Sequence, residues 1–136
     1  MQSGSIIIPC IRYENAKSAM EWLEKNFGFA TRVCYEGEDG LVHHAQMTFG
    51  TGMIMVGSTG VASSYTRQLK QPSEIGGFQT QSPYVILEDV RAHYERATAG
   101  GVEIVLPLED VDGRLGYTCK DIEGHLWSFG NYDPWK

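Results

Sequence analysis

The sequence predicts an α+β fold made of two copies of one strand–helix–three-strand (βαβββ) module, and three observations support this. The chain repeats itself at a constant offset, so that Gly28 aligns with Gly101 and residues 53–57 align with residues 126–130. Each copy also opens with an apolar run, followed by apolar side chains at helical spacing. The rest of each copy alternates between apolar and polar residues, as strands do. A repeat of about 55 residues is too long for a solenoid and indicates a duplicated module within one pseudo-symmetric domain.

The first module is predicted over residues 5–58. Residues 5–13 read as a buried strand, in which Pro9 marks an edge or a bulge. Asn15 is suited to cap a helix, and Gly28 is suited to end it in the left-handed conformation. The buried stripe of that helix is predicted to be Ala19, Met20, Leu23 and Phe27. The strands that follow it are predicted at residues 29–35, 42–49 and 53–58.

A two-residue turn at Gly50-Thr51 would set the faces of the hairpin that ends this module. Such a turn places Gln46 opposite Met55, so the polar side of one strand joins the methionine side of the next. The opposite side of the hairpin is apolar throughout. We therefore expect it to pack on the helix.

The second module is predicted over residues 83–133, with a helix from Val90 to Ala99 capped by Asp89. Its strands are expected at residues 84–87, 102–106, 116–120 and 126–132, with a turn at 109–113. Aligning the two hairpins puts Tyr117 at the position of His44 and Cys119 at that of Gln46.

A connector over residues 59–82 separates the modules. It is polar and has no periodicity, which is typical of a lid, an arm or a disordered segment. Tyr65, Arg67 and Phe78 are its expected anchors if it packs.

The composition limits the possible partners. A chain of 136 residues with 42% hydrophobic residues is long enough for one domain with a sizeable core. Its net charge of −6 opposes binding to nucleic acid or to an anionic membrane and favours a neutral or cationic ligand. No apolar run approaches a membrane span and no secretory signal is visible, so we expect a cytoplasmic protein with three free thiols.

Residues 42–50, 52–58 and 121–130 resemble the vicinal oxygen chelate (VOC) superfamily, and in particular its PhnB-like, glyoxalase/bleomycin-resistance branch. The resemblance implies one VOC domain over residues 1–136, with curved sheets around a cavity. It also implies a homodimer, in which the ligand often lies between the subunits.

Metal-using members of this superfamily take His, Glu or occasionally Gln ligands from four positions that face the cavity. Carried onto this sequence, the positions fall near Ile8, at Met55, near Pro83 and at Ser128. None of these residues suits a catalytic divalent cation. We therefore expect no metal and no cofactor. The adjacent pair His43-His44 does not replace the site, because neighbouring strand residues point to opposite faces.

The side chains expected to line the cavity are soft and largely apolar, which suits a flat or apolar organic ligand. They are His44, Gln46, Met53, Met55, Tyr117, Cys119, Leu126 and Ser128, with Cys10 or Arg12 at the rim. Outside the cavity, Trp127 is expected in the core, His93 in solvent and His125 in a structural role within a turn.

These features favour a metal-free small-molecule binding protein that resembles the bleomycin resistance proteins, which sequester a drug without chemistry. One alternative is a glyoxalase-like lyase or isomerase that uses His44 as a base, or a displaced metal site formed by His44 with Cys119 and Cys10. A further alternative is a structural or regulatory partner domain.

Overall fold

The computed structural model describes residues 4–136, and within them the predicted order of elements is confirmed. The first module comprises β1 (Cys10–Tyr13), α1 (Ala16–Phe27), β2 (Ala30–Glu36), β3 (Val42–Phe49) and β4 (Gly52–Ser58). The second comprises β5 (Tyr84–Ile86), α2 (Val90–Ala99), β6 (Glu103–Val111), β7 (Arg114–Lys120) and β8 (Leu126–Gly130). The α+β class is therefore confirmed.

Each module contributes one four-stranded sheet. The strand orders are β1-β4-β3-β2 and β5-β8-β7-β6, so the two sheets have the same topology. In each sheet the first strand pairs in parallel with the last, and the three meander strands are antiparallel. Gln46 pairs with Met55, as the two-residue turn requires.

Helix α1 begins and ends where its cap residues predict. The side chain of Asn15 accepts a hydrogen bond from the Ser18 N–H, and Gly28 ends the helix with φ 86°. In α2, Asp89 accepts a hydrogen bond from the Ala92 N–H in the same way. Both helices cover the apolar sides of the sheets.

Two strand boundaries differ from the prediction. Strand β1 starts at Cys10, because Pro9 has no N–H for the ladder, although its carbonyl accepts from Met55 N at 3.0 Å. Strand β6 continues through Glu109 to Val111, so the predicted turn over residues 109–113 is wrong. The turn is only Asp112-Gly113, whose positive φ angles of 54° and 84° match a tight hairpin turn.

Aromatic side chains from both modules share one core. Phe27 at the end of α1 lies edge-on to Phe129 and Trp127 of β8, at ring-centroid distances of 4.8 and 5.5 Å. Trp127 is fully buried, which confirms its predicted core role. Burial of these aromatic rings therefore helps to hold the two modules together.

A buried carboxylate also joins the modules. Asp121, in the loop between β7 and β8, accepts hydrogen bonds from Tyr13 Oη at 2.6 Å and Trp127 Nε1 at 3.0 Å. Its other oxygen accepts from the N–H groups of Glu123 and His125, both at 3.0 Å. The loop between β7 and β8 is therefore fastened to the junction of β1 and α1.

The connector is ordered and contains two short 3₁₀ helices, Thr66–Gln68 and Pro72–Ile75. Its anchors differ from those predicted: Tyr65, Arg67 and Phe78 are exposed, whereas Gln71 and Pro72 are buried. Gln71 Nε2 donates to the Arg12 carbonyl at 2.8 Å. Hydrogen bonding to β1 therefore holds the connector in place. Contacts of this kind leave no apolar periodicity in the sequence.

In the part of the chain that the structure covers, neither helix has the length and apolar character that a bilayer crossing requires.

Candidate functional site

The predicted cavity residues lie in separate depressions and do not form one pocket. The first groove, of about 250 Å³, lies on the open side of the first sheet and is lined by Cys10, Arg12, His43, His44, Met55, Val56, Gly57 and Tyr65. The second groove, of about 380 Å³, lies on the corresponding side of the second sheet. Its lining residues are Tyr84, Leu106, Pro107, Glu109, Val111, Arg114, Leu115, Gly116, Tyr117, Thr118, Ser128, Phe129 and Tyr132.

A hydrogen-bond relay fixes the tautomer of His44 beside the first groove. Arg32 Nη1 donates to Gln46 Oε1 at 2.6 Å, because a guanidinium can only donate. The other Gln46 atom, Nε2, must then donate to His44 Nε2 at 3.2 Å. In this arrangement Nε2 of His44 accepts and the ring proton is on Nδ1. The His44 ring can therefore donate from Nδ1, whereas the lone pair on Nε2 already accepts from Gln46.

Gly116 lies at the floor of the second groove. Gly116 pairs with Gly130 across β7 and β8, and a Cβ at Gly130 would lie 2.6 Å from the Tyr84 hydroxyl. Tyr84 can therefore lie across β8 only because residue 130 has no side chain. Beside this floor, the hydroxyls of Thr118 and Ser128 are 2.8 Å apart and form the polar centre of the groove.

Aromatic and charged side chains form the walls of the second groove. Tyr84 Oη donates to the Tyr132 carbonyl at 2.8 Å, and burial raises the pKa of Tyr84, so its hydroxyl remains protonated near neutral pH. The Arg114 guanidinium lies over the Tyr132 ring at 4.5 Å. Glu109 is the acidic residue of the lining.

The placement of Cys119 in the cavity is wrong, because its side chain points to the helix side of the second sheet. Tyr117 contributes to the lining of the second groove, but its buried hydroxyl bonds His93 on the helix side. Cys119 is fully buried and pairs with Trp127, and burial raises its pKa to about 12, so it is a thiol and a poor nucleophile or metal ligand at neutral pH. Four residues, 49–52, separate the paired Thr48 and Met53, whereas five residues, 121–125, separate Lys120 and Leu126. The one extra residue in the loop between β7 and β8 reverses the side of the sheet that each β7 residue faces.

The residues that take the open-side positions in β7 are Gly116 and Thr118, which the sequence comparison of the hairpins missed. Ser128 lies beside Thr118 in the second groove, as predicted. The signal that could have found them is the greater length of the loop at residues 121–125.

The other predicted residues spread over three depressions. His44 and Met55 line the first groove, and Gln46 adjoins it through the relay. Met53 lines a wider cleft of about 800 Å³ between the turn after β3 and strand β5. Leu126 lines a cleft of about 300 Å³ beneath the connector. There His125 lies 3.1 Å from the Arg12 carbonyl, consistent with a structural role.

His93 is not solvated as predicted but lies half-buried between α1 and the second sheet. Its Nε2 must donate to the Phe27 carbonyl at 2.8 Å, so Nδ1 accepts from the Tyr117 hydroxyl at 2.6 Å. Burial lowers the pKa of His93, and the Arg96 guanidinium lowers it further, against the raising effect of the Phe27 hydrogen bond. The folded chain therefore favours the neutral ring.

This arrangement predicts a loss of stability on mild acidification. Below the usual histidine pKa of about 6.5 the unfolded chain binds a proton that the folded His93 resists, so stability falls as the pH falls. Urea unfolding at pH 7.5 and 5.5 should show a larger loss in the natural chain than in His93→Gln, by less than about 1 kcal/mol because solvent screens the site. Equal losses in both proteins would contradict this interpretation.

The four positions that the family resemblance assigns to metal ligands do not suit a metal ion here. Cys10 lies beside Met55 and Tyr84 beside Ser128, so the paired first and last strands present no two hard ligands together. Within residues 4–136, no three His, Cys, Asp or Glu side chains are grouped closely enough to hold an ion. The Nε2 atom of His43 is already engaged by the Asp39 carboxylate at 3.2 Å.

Comparisons with known proteins agree with this architecture. The family model of the Glyoxalase/Bleomycin resistance protein/Dioxygenase superfamily matches residues 6–129. The crystal structure of TioX from Micromonospora sp. ML1 is similar, with 32% sequence identity and a TM-score of 0.74 over 96% of this chain and 100% of that chain.

More distant structures share the fold. A glyoxylase/bleomycin resistance protein/dioxygenase domain from Frankia sp. EAN1pec is 12% identical, with a TM-score of 0.64 over 96% of this chain and 92% of that one. A glyoxalase I variant from Zea mays is 13% identical, with a TM-score of 0.72 over 96% of this chain and 46% of its own. No curated protein matches the sequence.

Proposed function

Because the chain belongs to the glyoxalase/bleomycin resistance protein/dioxygenase superfamily, we propose that it is a small-molecule binding protein that holds its ligand in the second groove without transforming it. The observation that carries the proposal is the groove itself. A volume of about 380 Å³ is suited to a small organic molecule. The proposed role is sequestration, as in the bleomycin resistance proteins of the PhnB-like branch.

Exposed apolar side chains around the groove support this proposal. Leu106 and Val111 are 57% and 62% exposed, and the rings of Tyr84 and Tyr132 are about half exposed. An apolar ligand would remove this surface from water at a gain of about 25 cal/mol per Å² of apolar area. Burial of this patch is therefore the expected source of affinity.

The polar groups of the second groove suit orientation of a ligand. One of the Thr118 and Ser128 hydroxyls donates to the other at 2.8 Å, which leaves the second hydroxyl proton and several lone pairs for a ligand. Tyr84 keeps its proton and is already engaged with the Tyr132 carbonyl. These groups favour binding over acid–base chemistry.

The chemistry of the first groove also favours binding over catalysis. A general base needs a free lone pair, and the Nε2 lone pair of His44 accepts from Gln46. The displaced metal site is disfavoured because Cys119 faces the core, away from His44.

The test is a titration with N-phenyl-1-naphthylamine, a neutral dye that fluoresces in apolar sites. We expect saturable binding to the natural chain and at least a tenfold weaker affinity for Gly116→Leu, because a Cβ at residue 116 meets only the Phe129 carbonyl at 3.5 Å and the side chain would fill the groove. The control Ala30→Leu places the same side chain at an exposed position in the other sheet and should bind normally.

Equal dye affinity in Gly116→Leu and the natural chain would refute the proposal. Mass spectrometry of the recovered dye should show it unchanged, and elemental analysis of the purified protein should show no stoichiometric nickel, zinc, iron or manganese. A bound metal at one ion per chain would instead support the enzymatic alternative.

A further inference from the structure

We propose that the first groove is a recognition site for the carboxylate group of a small organic ligand, with Arg12 as its charged anchor. This site is distinct from the second groove and does not depend on the function proposed for it.

Arg12 is half-buried and has no carboxylate partner among the described residues. Its Nη1 donates to the Ser58 carbonyl at 3.3 Å, which uses one of the five guanidinium donors. Glu74 lines an adjacent cavity with Arg12 but is engaged elsewhere, by Lys70 at 3.6 Å and by the Gln71 N–H at 3.0 Å. A half-buried charge with unused donors is best satisfied by an anion.

The guanidinium is held in place on two sides. Gly57 lies directly beneath it in β4, and a Cβ at that position would collide with the guanidinium atoms. The Tyr65 ring of the connector covers the group at 5.5 Å. An arginine fixed in this way loses little conformational entropy when it binds a planar carboxylate.

The surroundings add a second donor and no competing acid. The relay from Arg32 through Gln46 leaves the proton of His44 on Nδ1, where it can be donated. None of the residues that line the first groove is acidic, and Asp39, which bonds His43, is itself exposed. Although the net charge of −6 favours a neutral or cationic ligand, charges within a few ångströms decide which group binds here.

The experiment compares 2-naphthoate with the neutral 2-naphthamide by titration of the ¹⁵N-labelled chain. We expect the carboxylate to bind at least tenfold more tightly than the amide, to shift the amide signals of Met55 and Gly57 most, and to weaken as salt is raised. Arg12→Gln should abolish the preference for the carboxylate. The control Arg67→Gln, which removes an exposed arginine of the connector, should retain it.

A second variant tests whether the position of the Arg12 guanidinium matters, and not only its charge. Gly57→Ala keeps Arg12 but displaces its guanidinium, so it should also reduce the preference for the carboxylate at least threefold. The proposal is overturned if both probes bind equally, if Arg12→Gln keeps the preference, or if the shifts occur only at Thr118 and Ser128. The last outcome would leave the second groove as a binding site, so failure here is distinguishable from failure of the proposed function.

Discussion

Replacement of Asp121 by asparagine is expected to lower the free energy of unfolding by about 3 kcal/mol. The two carboxylate oxygens of Asp121 accept four hydrogen bonds, including those from Tyr13 and Trp127. An amide of the same shape would turn an NH₂ group toward two of these donors. Two buried donors would lose their acceptor, and hydrogen bonds to a charged group would become neutral ones.

Urea unfolding followed by circular dichroism measures this effect. The matched control is Asp112→Asn in the exposed turn between β6 and β7, where φ is 54° and asparagine is tolerated. It should change stability by less than about 0.5 kcal/mol. Losses of similar size in both variants would show that Asp121 does not fasten the two modules.

Truncation of Phe27 to alanine is expected to cost about 3–5 kcal/mol. The ring is fully buried and lies 4.8 Å from Phe129, 4.9 Å from Trp22 and 5.5 Å from Trp127. Its removal leaves a cavity between α1 and β8, where the two modules meet. The backbone carbonyl that binds His93 remains, so the loss reports packing alone.

Phe78→Ala is the control for this variant, because the Phe78 ring is 73% exposed on the connector. Its expected effect is below about 0.5 kcal/mol. A loss below 1 kcal/mol for Phe27→Ala would mean that the aromatic cluster contributes little to joining the modules.

Most of the fold could be predicted because local signals agree with it. Asn15 and Gly28 mark the ends of α1, and the turn at Gly50-Thr51 sets the register that pairs Gln46 with Met55. Where the local signal was ambiguous, the boundary was wrong. The acidic residues Glu109, Asp110 and Asp112 before Gly113 predict a turn, but β7 pairs with residues up to Val111 and extends the strand.

The candidate site was only partly predictable, because its residues depend on long-range geometry. The alignment of the hairpins placed Tyr117 and Cys119 at the positions of His44 and Gln46. Because the loop before β8 has one extra residue, Gly116 and Thr118 take those positions instead. The position of His93 between α1 and the second sheet also left no sequence signal. A helical histidine beside glutamate and arginine looks solvated until the partner surface is known.

Amide chemical-shift mapping with N-phenyl-1-naphthylamine tests most directly whether the second groove is the ligand site. We predict that the largest shifts occur at Gly116, Thr118 and Ser128, which form the floor of that groove. Saturable binding whose largest shifts lie outside this floor, or no binding at millimolar protein, would contradict the account.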